Sequence, residues 1–519
     1  MVKKVSIVII VIFLLVCTNC KKQKDKNVTI VKEKIEMSNI VNDITKPLDV
    51  QPEIEDSGKE IEYTISKTIG SNMVVQRNNY FNVFGWSENI GGIIYGEFMG
   101  EKRYAVIDEK GNWNIQFSPH EANSTPQTLK IYPKNGKVTE YSDILIGDIW
   151  IIAGQSNAEL NMSLCLNKDK EYAKEINEND SIRIFAQDRE FVFGIKNKID
   201  LSVPQKDIVN DNYKWEKTTL RTVNKFSALG YYFAKELSKM VDVPFGVIMT
   251  AAGGATIHEL MPNEVLENSA PLFAPSVVAG GFYNSLMHPF INNPITGMIF
   301  YQGESESNAG HYKRYESNLI NLFNGYRKAW KLEFPIINVQ LSTHGEEGEK
   351  AWYEIQNIRA VQFDVSRKLS NNYLIVSRDH GIKPGDDDFG HPRYKRQLGV
   401  RAANVAAMNI YEIANLESKM SPEPTRIIWN KDHILVDFDY VGDGLKLLEG
   451  NKLEGFVVLD EAGNNIACAA EITDKNKIKI TVSGEAATLQ FAMFPNATLE
   501  FANLGNSEGL PVPTFEISK

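Results

Sequence analysis

The chain has 519 residues, of which 43% are hydrophobic and 24% are charged. It is long enough for about three domains and can bury a core without disulfide staples. The 56 Lys and Arg against 66 Asp and Glu give a net charge of -10. This charge argues against a general nucleic-acid binder, because such proteins neutralise phosphates with Lys and Arg. A second C-x-x-C pair does not follow the first, which argues against a structural zinc site.

The N-terminus has the pattern of an export signal. Lys3 and Lys4 precede an apolar run from Val5 to Val16, which is too short to span a bilayer as a helix. Cys20 follows the run, and this arrangement resembles a bacterial lipoprotein signal over residues 1–20. It implies lipidation of Cys20 and a location in the bacterial cell envelope, periplasmic or on the outer surface. Asn19 departs from the small residue usual before such a cysteine, so an ordinary secretory signal is the alternative.

Residues 21–62 contain no aromatic residue and many charged ones. Such a segment cannot bury enough apolar area to offset its ordering entropy. It is predicted to be a flexible tether, and the lipid anchor is then the only contact with a membrane.

Three zones with different patterns follow the tether. Residues 63–146 have short apolar or alternating runs between turns, including Asn79–Val83, Gly92–Phe98 and Trp113–Phe117, which predicts an antiparallel β-sandwich. Short strands return over residues 418–519 and predict a second β-sandwich. They are Ile427–Trp429, Ile434–Phe438, Gly455–Leu459, Ile478–Val482 and Leu489–Ala492.

The middle zone, residues 147–417, alternates apolar runs with amphipathic stretches. This alternation predicts an α/β domain with a parallel sheet covered on both faces. The predicted strands are Ile149–Ala153, Phe245–Met249, Gly297–Tyr301, Ile336–Val339 and Tyr373–Val376. The predicted helices are Phe226–Met240, Tyr312–Trp330, Ile355–Lys368 and Arg393–Leu416.

Ligands of parallel sheets bind beyond the carboxyl ends of the strands, so residues after each run are candidates for chemistry. The first strand leads to Ser156, whose hydroxyl is presented at a strand-to-helix turn. A helix N-cap is the alternative role for this serine. The turn is not a G-x-S-x-G elbow, because Ala158 fills its last position.

Two further strands end in candidate backbone or polar groups. Gly253 and Gly254 follow the second strand and allow close approach of backbone N–H groups to a ligand, although a simple turn is the alternative. The third strand leads to Gln302, Glu304 and Glu306, where buried polar side chains need partners.

His391 lies before Pro392, which suits the first position of a helix, so His391 is predicted in the preceding loop. Asp388 is three residues earlier and can hold one ring nitrogen while the other faces a nucleophile. The alternatives are a solvated acidic loop and a Ca²⁺ site, but EF-hand spacing is missing.

These blocks together resemble the sialate O-acetylesterase family of SGNH hydrolases. The resemblance also includes Asn72–Arg77 with Gly85-Trp86, Lys225–Tyr231, Tyr283-Asn284 with His288-Pro289, and Glu508–Pro511. It runs from about Ile65 to Phe515. It implies an SGNH-type three-layer domain flanked by two β-sandwiches, and a serine esterase that removes O-acetyl groups from carbohydrates, with no metal or cofactor.

The resemblance also implies roles for individual residues. Ser156 is the nucleophile, His391 the general base and Asp388 the residue that orients it. The implied oxyanion hole consists of the Ser156 N–H, an N–H of Gly253 or Gly254, and a side chain of the third block. The implied substrate-binding positions are Gln155, Asn157 and Glu304.

Three departures from the family pattern leave questions open. Glu306 stands where the family has Asn, so either it replaces that residue or Asn308 takes the role, and Gln302 becomes the preferred side-chain donor. Phe389-Gly390 precede His391-Pro392, so Asp386 and Asp387 compete with Asp388. Ala251-Ala252 replace a Ser-Trp-like pair and alter the acyl pocket.

The expected substrate is O-acetylated sialic acid, with Arg378, Arg393 or Arg396 as candidate partners of its carboxylate. The alternatives are esters of other polysaccharides such as acetylxylan, and a non-catalytic glycan-binding lipoprotein. The sequence does not indicate an oligomeric state.

Overall fold

The computed structural model describes residues 60–165, 181–267, 269, 277–307, 311–343, 354–380 and 391–519, and the backbone of strand β1 (Lys26–Thr29). The predicted signal with Cys20 lies outside the described residues, as do Asn308 and the acidic run at 386–388. Within the predicted tether, β1 pairs antiparallel with residues 426–429, which belong to the first strand of the C-terminal part. Among the described residues, no helix is both long and apolar enough to cross a membrane.

Seven short strands follow, at the positions where the sequence alternates or has apolar runs. They are β2 (Thr64–Ile65), β3 (Val74–Gln76), β4 (Phe81–Trp86), β5 (Ile93–Phe98), β6 (Glu101–Val106), β7 (Asn112–Phe117) and β8 (Asn123–Pro133). Strands β2, β4 and β7 form one sheet, and β6, β5 and β8 belong to another. Buried Phe81, Phe98 and Phe117 contact one another, with ring centroids 5.3 to 6.1 Å apart. These aromatic contacts join the two sheets into one core.

A sheet of parallel strands forms the centre of the molecule. Its strands are β9 (Thr139–Gly154), β10 (Ile182–Phe185), β11 (Trp215–Lys217), β12 (Phe245–Met249), β13 (Gly297–Tyr301), β14 (Ile336–Gln340) and β15 (Asn372–Val376). Their order is β11-β10-β12-β9-β13-β14-β15, and only β11, at the edge, is antiparallel to its neighbour. Every residue of β12, β13 and β14 is buried, as expected for parallel strands covered on both faces.

Strand β9 belongs to both parts of the structure. Its first half pairs with β8 and β3, and its second half pairs with β12 and β13. It therefore passes without a break through residues 146–147, where the sequence pattern changes. Buried Asp148 lies at the midpoint of β9 and accepts hydrogen bonds from four side chains of both parts, which are Gln76, Arg77, Thr296 and Tyr411.

In the sequence, the helices lie between successive strands of the parallel sheet, and the last helix follows β15. They are α1 (Ser156–Glu159), α2 (Arg189–Ile195), α3 (Leu220–Val223), α4 (Ala228–Leu237), α5 (Asn263–Leu266), α6 (Tyr312–Trp330), α7 (Ile355–Lys368) and α8 (Arg396–Asn409). Helix α6 buries Tyr315, Leu319 and Tyr326 on one face and ends where Lys331 adopts a left-handed conformation, with φ of 51°. Helix α4 begins at Ser227, whose side chain accepts a hydrogen bond from the Gly230 N–H.

The C-terminal part is formed by short strands again. They are β16 (Glu423–Trp429), β17 (His433–Asp439), β18 (Leu445–Leu447), β19 (Phe456–Leu459), β20 (Asn465–Ile466), β21 (Cys468–Asp474), β22 (Lys477–Val482), β23 (Thr488–Phe491), β24 (Leu504–Asn506) and β25 (Phe515–Ser518). They form the sheets β1-β16-β17-β22-β21, β20-β19-β23-β25 and β18-β24.

The predicted α/β class is confirmed by this architecture, with further β-sheets before and after the parallel strands. Helices α6 and α7 have the bounds that the sequence predicted, whereas α4 and α8 are shorter at both ends. Strands β10 and β11 were not predicted, because each is too short for a clear pattern. The SGNH assignment and the division into flanking domains stay predictions.

Candidate active site

Ser156 and His391 meet at the carboxyl end of β9. Gly154 ends this strand with φ of +126°, and a Cβ on it would lie 2.1 Å from the Tyr301 carbonyl oxygen. Only glycine therefore fits between β9 and β13, and the chain then turns into α1 with Ser156 as its first residue. His391 Nε2 lies 2.7 Å from Ser156 Oγ, although the two residues are 235 positions apart. This distance and pairing are those of a nucleophile and its general base.

The two glycines after β12, Gly253 and Gly254, lie in different environments. Gly253 donates its N–H to Glu159 Oε2 at 2.7 Å, and Arg189 Nη1 lies 3.6 Å from the same oxygen. A Cβ on Gly253 would meet the Arg189 guanidinium and the Glu159 carboxylate, so a larger residue here would displace these two side chains. Burial raises the pKa of Glu159, and the Arg189 charge opposes this rise.

Gly254 is exposed and has φ of +75°. Its carbonyl accepts a hydrogen bond from Ser305 Oγ at 3.2 Å. In the described part of the chain, the N–H groups of Ser156 and Gly254 have no hydrogen-bond acceptor. The sequence offered two glycines for an oxyanion hole. Glu159 accepts the N–H of Gly253, so Gly254 is the better candidate of the two.

Gln302 does not have a free side-chain amide, which corrects its predicted role as an oxyanion donor. Its Nε2 donates to Glu306 Oε2 and to the Ala255 carbonyl, and its Oε1 accepts from Tyr315 Oη at 3.0 Å. Glu306 is also engaged, because its Oε1 accepts from the Ile257 N–H at 2.6 Å. Burial raises the pKa of Glu306 to about 8. Both side chains therefore stabilise the loop after β13, where buried polar groups must find protein partners.

Three residues predicted to bind substrate are buried beneath Ser156 instead, which corrects that prediction. Gln155 Oε1 lies 3.3 Å from the N–H groups of Gly303 and Ser305. Asn157 Nδ2 donates to Glu304 Oε1 at 2.6 Å. Such buried amides and carboxyls hold loops in place and cannot also face a ligand.

Lys395 completes this buried network. Its Nζ donates to Asn157 Oδ1 at 2.7 Å and lies 5.2 Å from the centroid of the Tyr301 ring. Burial raises the pKa of Glu304, while the hydrogen bond from Asn157 and the Lys395 charge oppose the rise. Neither Lys395 nor Glu159 was predicted from the sequence. The available signal was spacing, since Lys395 is four residues after His391 and Glu159 is three after Ser156.

The three candidate arginines differ in location. Arg378 is fully buried and donates to the carbonyls of Val512, at 3.0 Å, and of Ala497, at 3.2 Å. It connects the segment after β15 to loops of the C-terminal part, so its predicted role as a partner of the substrate carboxylate is wrong. Arg393 and Arg396 are exposed on the segment that follows His391.

The described residues do not include a group of three or more His, Cys, Asp or Glu side chains that could hold a metal ion. The groups described at the site are the Ser156 hydroxyl, the His391 imidazole and the backbone N–H groups of Ser156 and Gly254.

Comparisons with known proteins show that this chain is similar to carbohydrate esterases. The model of the family described as carbohydrate esterase, sialic acid-specific acetylesterase, matches residues 146–407, about half of the chain. The human sialate O-acetylesterase is 25% identical over 419 residues, which cover 68% of this chain and 73% of the relative. The mouse sialate O-acetylesterase is 26% identical over 333 residues, which cover 52% of this chain and 58% of the relative.

One solved structure has the same fold over most of the chain. It is a carbohydrate acetylesterase from Xanthomonas citri, with a TM-score of 0.76, 22% identity, and coverage of 88% of this chain and 100% of that chain. Because the family model matches half of the sequence and includes both Ser156 and His391, this chain belongs to the sialic acid-specific acetylesterase family of carbohydrate esterases, and it is an esterase.

Proposed function

We propose that the protein is a serine esterase that removes O-acetyl groups from carbohydrates, and that O-acetylated sialic acids are its preferred substrates. The observation that carries the mechanism is the distance of 2.7 Å between His391 Nε2 and Ser156 Oγ. It occurs at the carboxyl end of the central strand, in a chain of this esterase family.

In the proposed reaction, Ser156 Oγ attacks the acetyl carbonyl while His391 Nε2 takes the hydroxyl proton. The N–H groups of Ser156 and Gly254 stabilise the negative charge that develops on the carbonyl oxygen. The tetrahedral intermediate collapses, His391 protonates the sugar oxygen, and the acetyl group stays on Ser156. Water then attacks with His391 again as the base, which releases acetate and restores the serine. Asp388 orients the imidazole in this proposal.

The mechanism is tested by Ser156→Ala, His391→Ala and the double variant. Each single variant should lose several orders of magnitude in kcat, and the double variant should lose no more, because the pair acts as a unit. Ser156 is partly exposed, so thermal unfolding of its alanine variant should stay near that of the unchanged chain. A Ser156→Ala protein that keeps its esterase rate would disprove the assignment, and a non-catalytic glycan-binding protein would then be the better description.

The substrate preference has an electrostatic argument. An acetyl group is small, so the sugar must provide discrimination, and one methylene in an acyl pocket contributes only about 1–3 kcal/mol. A sialic carboxylate can accept charge-assisted hydrogen bonds from Arg393 or Arg396, which a neutral xylose cannot do. We expect kcat/KM for O-acetylated sialic acid to exceed that for acetylxylan. The reverse order would overturn the sialate preference and leave the serine mechanism intact.

The location of the protein is a separate proposal. Lys3, Lys4 and the apolar run before Cys20 support export and lipidation of Cys20 in the cell envelope. Intact-mass analysis of membrane-extracted protein should give an acylated N-terminal cysteine. A mature chain that begins elsewhere without an acyl group would contradict the anchor.

A further inference from the structure

A cleft separate from Ser156 lies between the sheet β2-β4-β7 and the segment before β13. Its volume is about 810 Å³. One wall is formed by residues of β4, β6 and β7, and the other includes His288, Pro289 and Asn292. This second wall precedes β13, whereas Ser156 follows β9, and the two strands are parallel. The cleft and the catalytic pair therefore lie at opposite ends of the sheet, about 15 to 20 Å of strand apart.

The register of β4 and β7 explains which side chains face the cleft. Phe84 pairs directly with Asn114, and Trp86 pairs directly with Asn112. Directly paired residues of an antiparallel ladder share a face, and alternate residues along a strand return to that face. The sheet thus presents the Phe84 and Trp86 rings beside the Asn114 side-chain amide, whereas the Asn112 side chain donates to Asp108 at 3.2 Å. Asn82 on the same face closes one end by donating to the Asn292 carbonyl at 2.9 Å.

The chemistry of these walls suits a sugar. The Trp86 indole is partly exposed and can lie against the C–H face of a pyranose ring. Asn114 is exposed, and no described residue forms a hydrogen bond with its side-chain amide. An amide offers both a donor and an acceptor, as each sugar hydroxyl does, so it can pair with hydroxyls in either sense. Concave sites that combine aromatic walls with a few polar groups are typical of small-ligand binding.

The charges of the cleft favour a neutral ligand. Lys206 is the cation on its rim, with Nζ 4.7 Å from the centroid of the Trp86 ring. Asp108 is the anion, and its Oδ1 already accepts from the backbone N–H groups of Lys110 and Asn112. One charge of each sign gives no net attraction for an ionic ligand. The contact of an exposed lysine with an aromatic ring contributes only about 0.5–1 kcal/mol, so a sugar can displace it at low cost.

We infer that this cleft is a second, non-catalytic binding site for a neutral oligosaccharide segment. It would hold a part of a glycan that carries no acetyl ester, while the ester is cleaved at the other end of the sheet. The inference depends on carbohydrate as the ligand class and is independent of the proposed preference for sialic acids.

The test uses the full chain with Ser156→Ala and two neutral probes without O-acetyl esters, lacto-N-tetraose and xylohexaose. Isothermal titration calorimetry should detect binding of at least one probe in the millimolar range, with quenching of tryptophan fluorescence. Trp86→Ala should weaken this binding by about tenfold or more, which is about 1.4 kcal/mol. Phe501→Ala removes an exposed aromatic ring of the C-terminal part and is the matched control, with no expected effect.

Asn114→Ala is a second variant that does not depend on the folding of Trp86→Ala, because Asn114 is exposed. It should also weaken binding, whereas Lys206→Ala should leave it equal or stronger. In chains that keep Ser156, none of these variants should change the rate on 4-nitrophenyl acetate. Failure of both probes to bind, or binding that survives Trp86→Ala and Asn114→Ala, would overturn the inference. Esterase activity is measured separately, so a failure of the proposed function would not be mistaken for a failure of the cleft.

Discussion

Substitution of Lys395 by Met tests whether the buried network beneath Ser156 positions the catalytic pair. Methionine keeps much of the apolar chain and removes the ammonium that donates to Asn157 Oδ1 at 2.7 Å. Asn157 would keep its bond to Glu304, but its own oxygen would be buried without this donor. The carboxyl of Glu304 would also lose a nearby positive charge that now opposes the rise of its pKa.

The expected cost follows from these two losses. A buried acceptor left unsatisfied costs about 1–3 kcal/mol, and removal of one partner of a buried charge pair costs about 3–5 kcal/mol. Glu304 can take up a proton when the cation is gone, which avoids part of the second cost. We therefore expect the free energy of unfolding to fall by about 2–4 kcal/mol.

The effect on catalysis should exceed what lower stability explains. Lys395 follows His391 by four residues, and Asn157 follows Ser156 directly, so their hydrogen bond holds both segments at the site. A displacement of about 1 Å between reacting groups can reduce a rate by about 10²-fold. We expect kcat on 4-nitrophenyl acetate to fall by about 10- to 100-fold under conditions where the variant is fully folded.

The assay combines urea unfolding with steady-state kinetics. Lys431→Met is the control, because it removes a positive charge from an exposed position of the C-terminal part, away from Ser156. It should change neither the free energy of unfolding nor kcat appreciably. A Lys395→Met protein with unchanged stability and kcat would refute the positioning role of the network.

Three further predictions concern residues around the pair. Of Asp388→Asn, Asp387→Asn and Asp386→Asn, the first should be slowest in kcat, because an i, i+3 spacing in a tight turn can bring a carboxylate back to the His391 ring. Equal losses would indicate a collective role of the acidic run. Asn308→Ala should lower kcat by about 10²- to 10³-fold if its side chain completes the oxyanion hole, and an unchanged kcat would exclude that role. Because the pKa of Glu306 rises from 4.5 to about 8 on burial, the folded chain holds this proton more tightly, and the free energy of unfolding should fall as pH rises from about 5 to about 8. Urea unfolding at several pH values should show a smaller fall for Glu306→Gln, and an identical pH profile would contradict the assignment.

The sequence predicted those parts of the fold whose signals are local. The apolar runs of β12 and β13 and the periodicity of α6 coincide with the observed elements, because a strand buried on both faces and a one-sided helix each have a recognisable pattern. Ser156 was found because it follows a predicted strand, and His391 because Pro392 marks the start of the next helix. Their pairing as nucleophile and base came from the resemblance to the esterase family.

The prediction for Gln302 was wrong because the local sequence pattern does not show which groups bind its side chain. Its partners are Glu306 in the same loop, Ala255 after another strand, and Tyr315 on α6. Only the packing of α6 and the loop after β12 against the end of β13 shows that both ends of the amide are used. The same holds for Arg378, whose acceptors belong to loops between the C-terminal strands.

The continuity of β9 affects how the protein can fold and be divided. Strand β9, which ends just before Ser156, begins in the first group of sheets, and Asp148 at its midpoint bonds to side chains of both parts. Loss of the N-terminal strands would leave unpaired backbone groups on the first half of β9 and remove two partners of a buried carboxylate. The N-terminal sheets and the parallel sheet therefore share one cooperative unit. Recombination between relatives should preserve activity only where both parts come from the same parent, since their common strand carries side chains fitted to each.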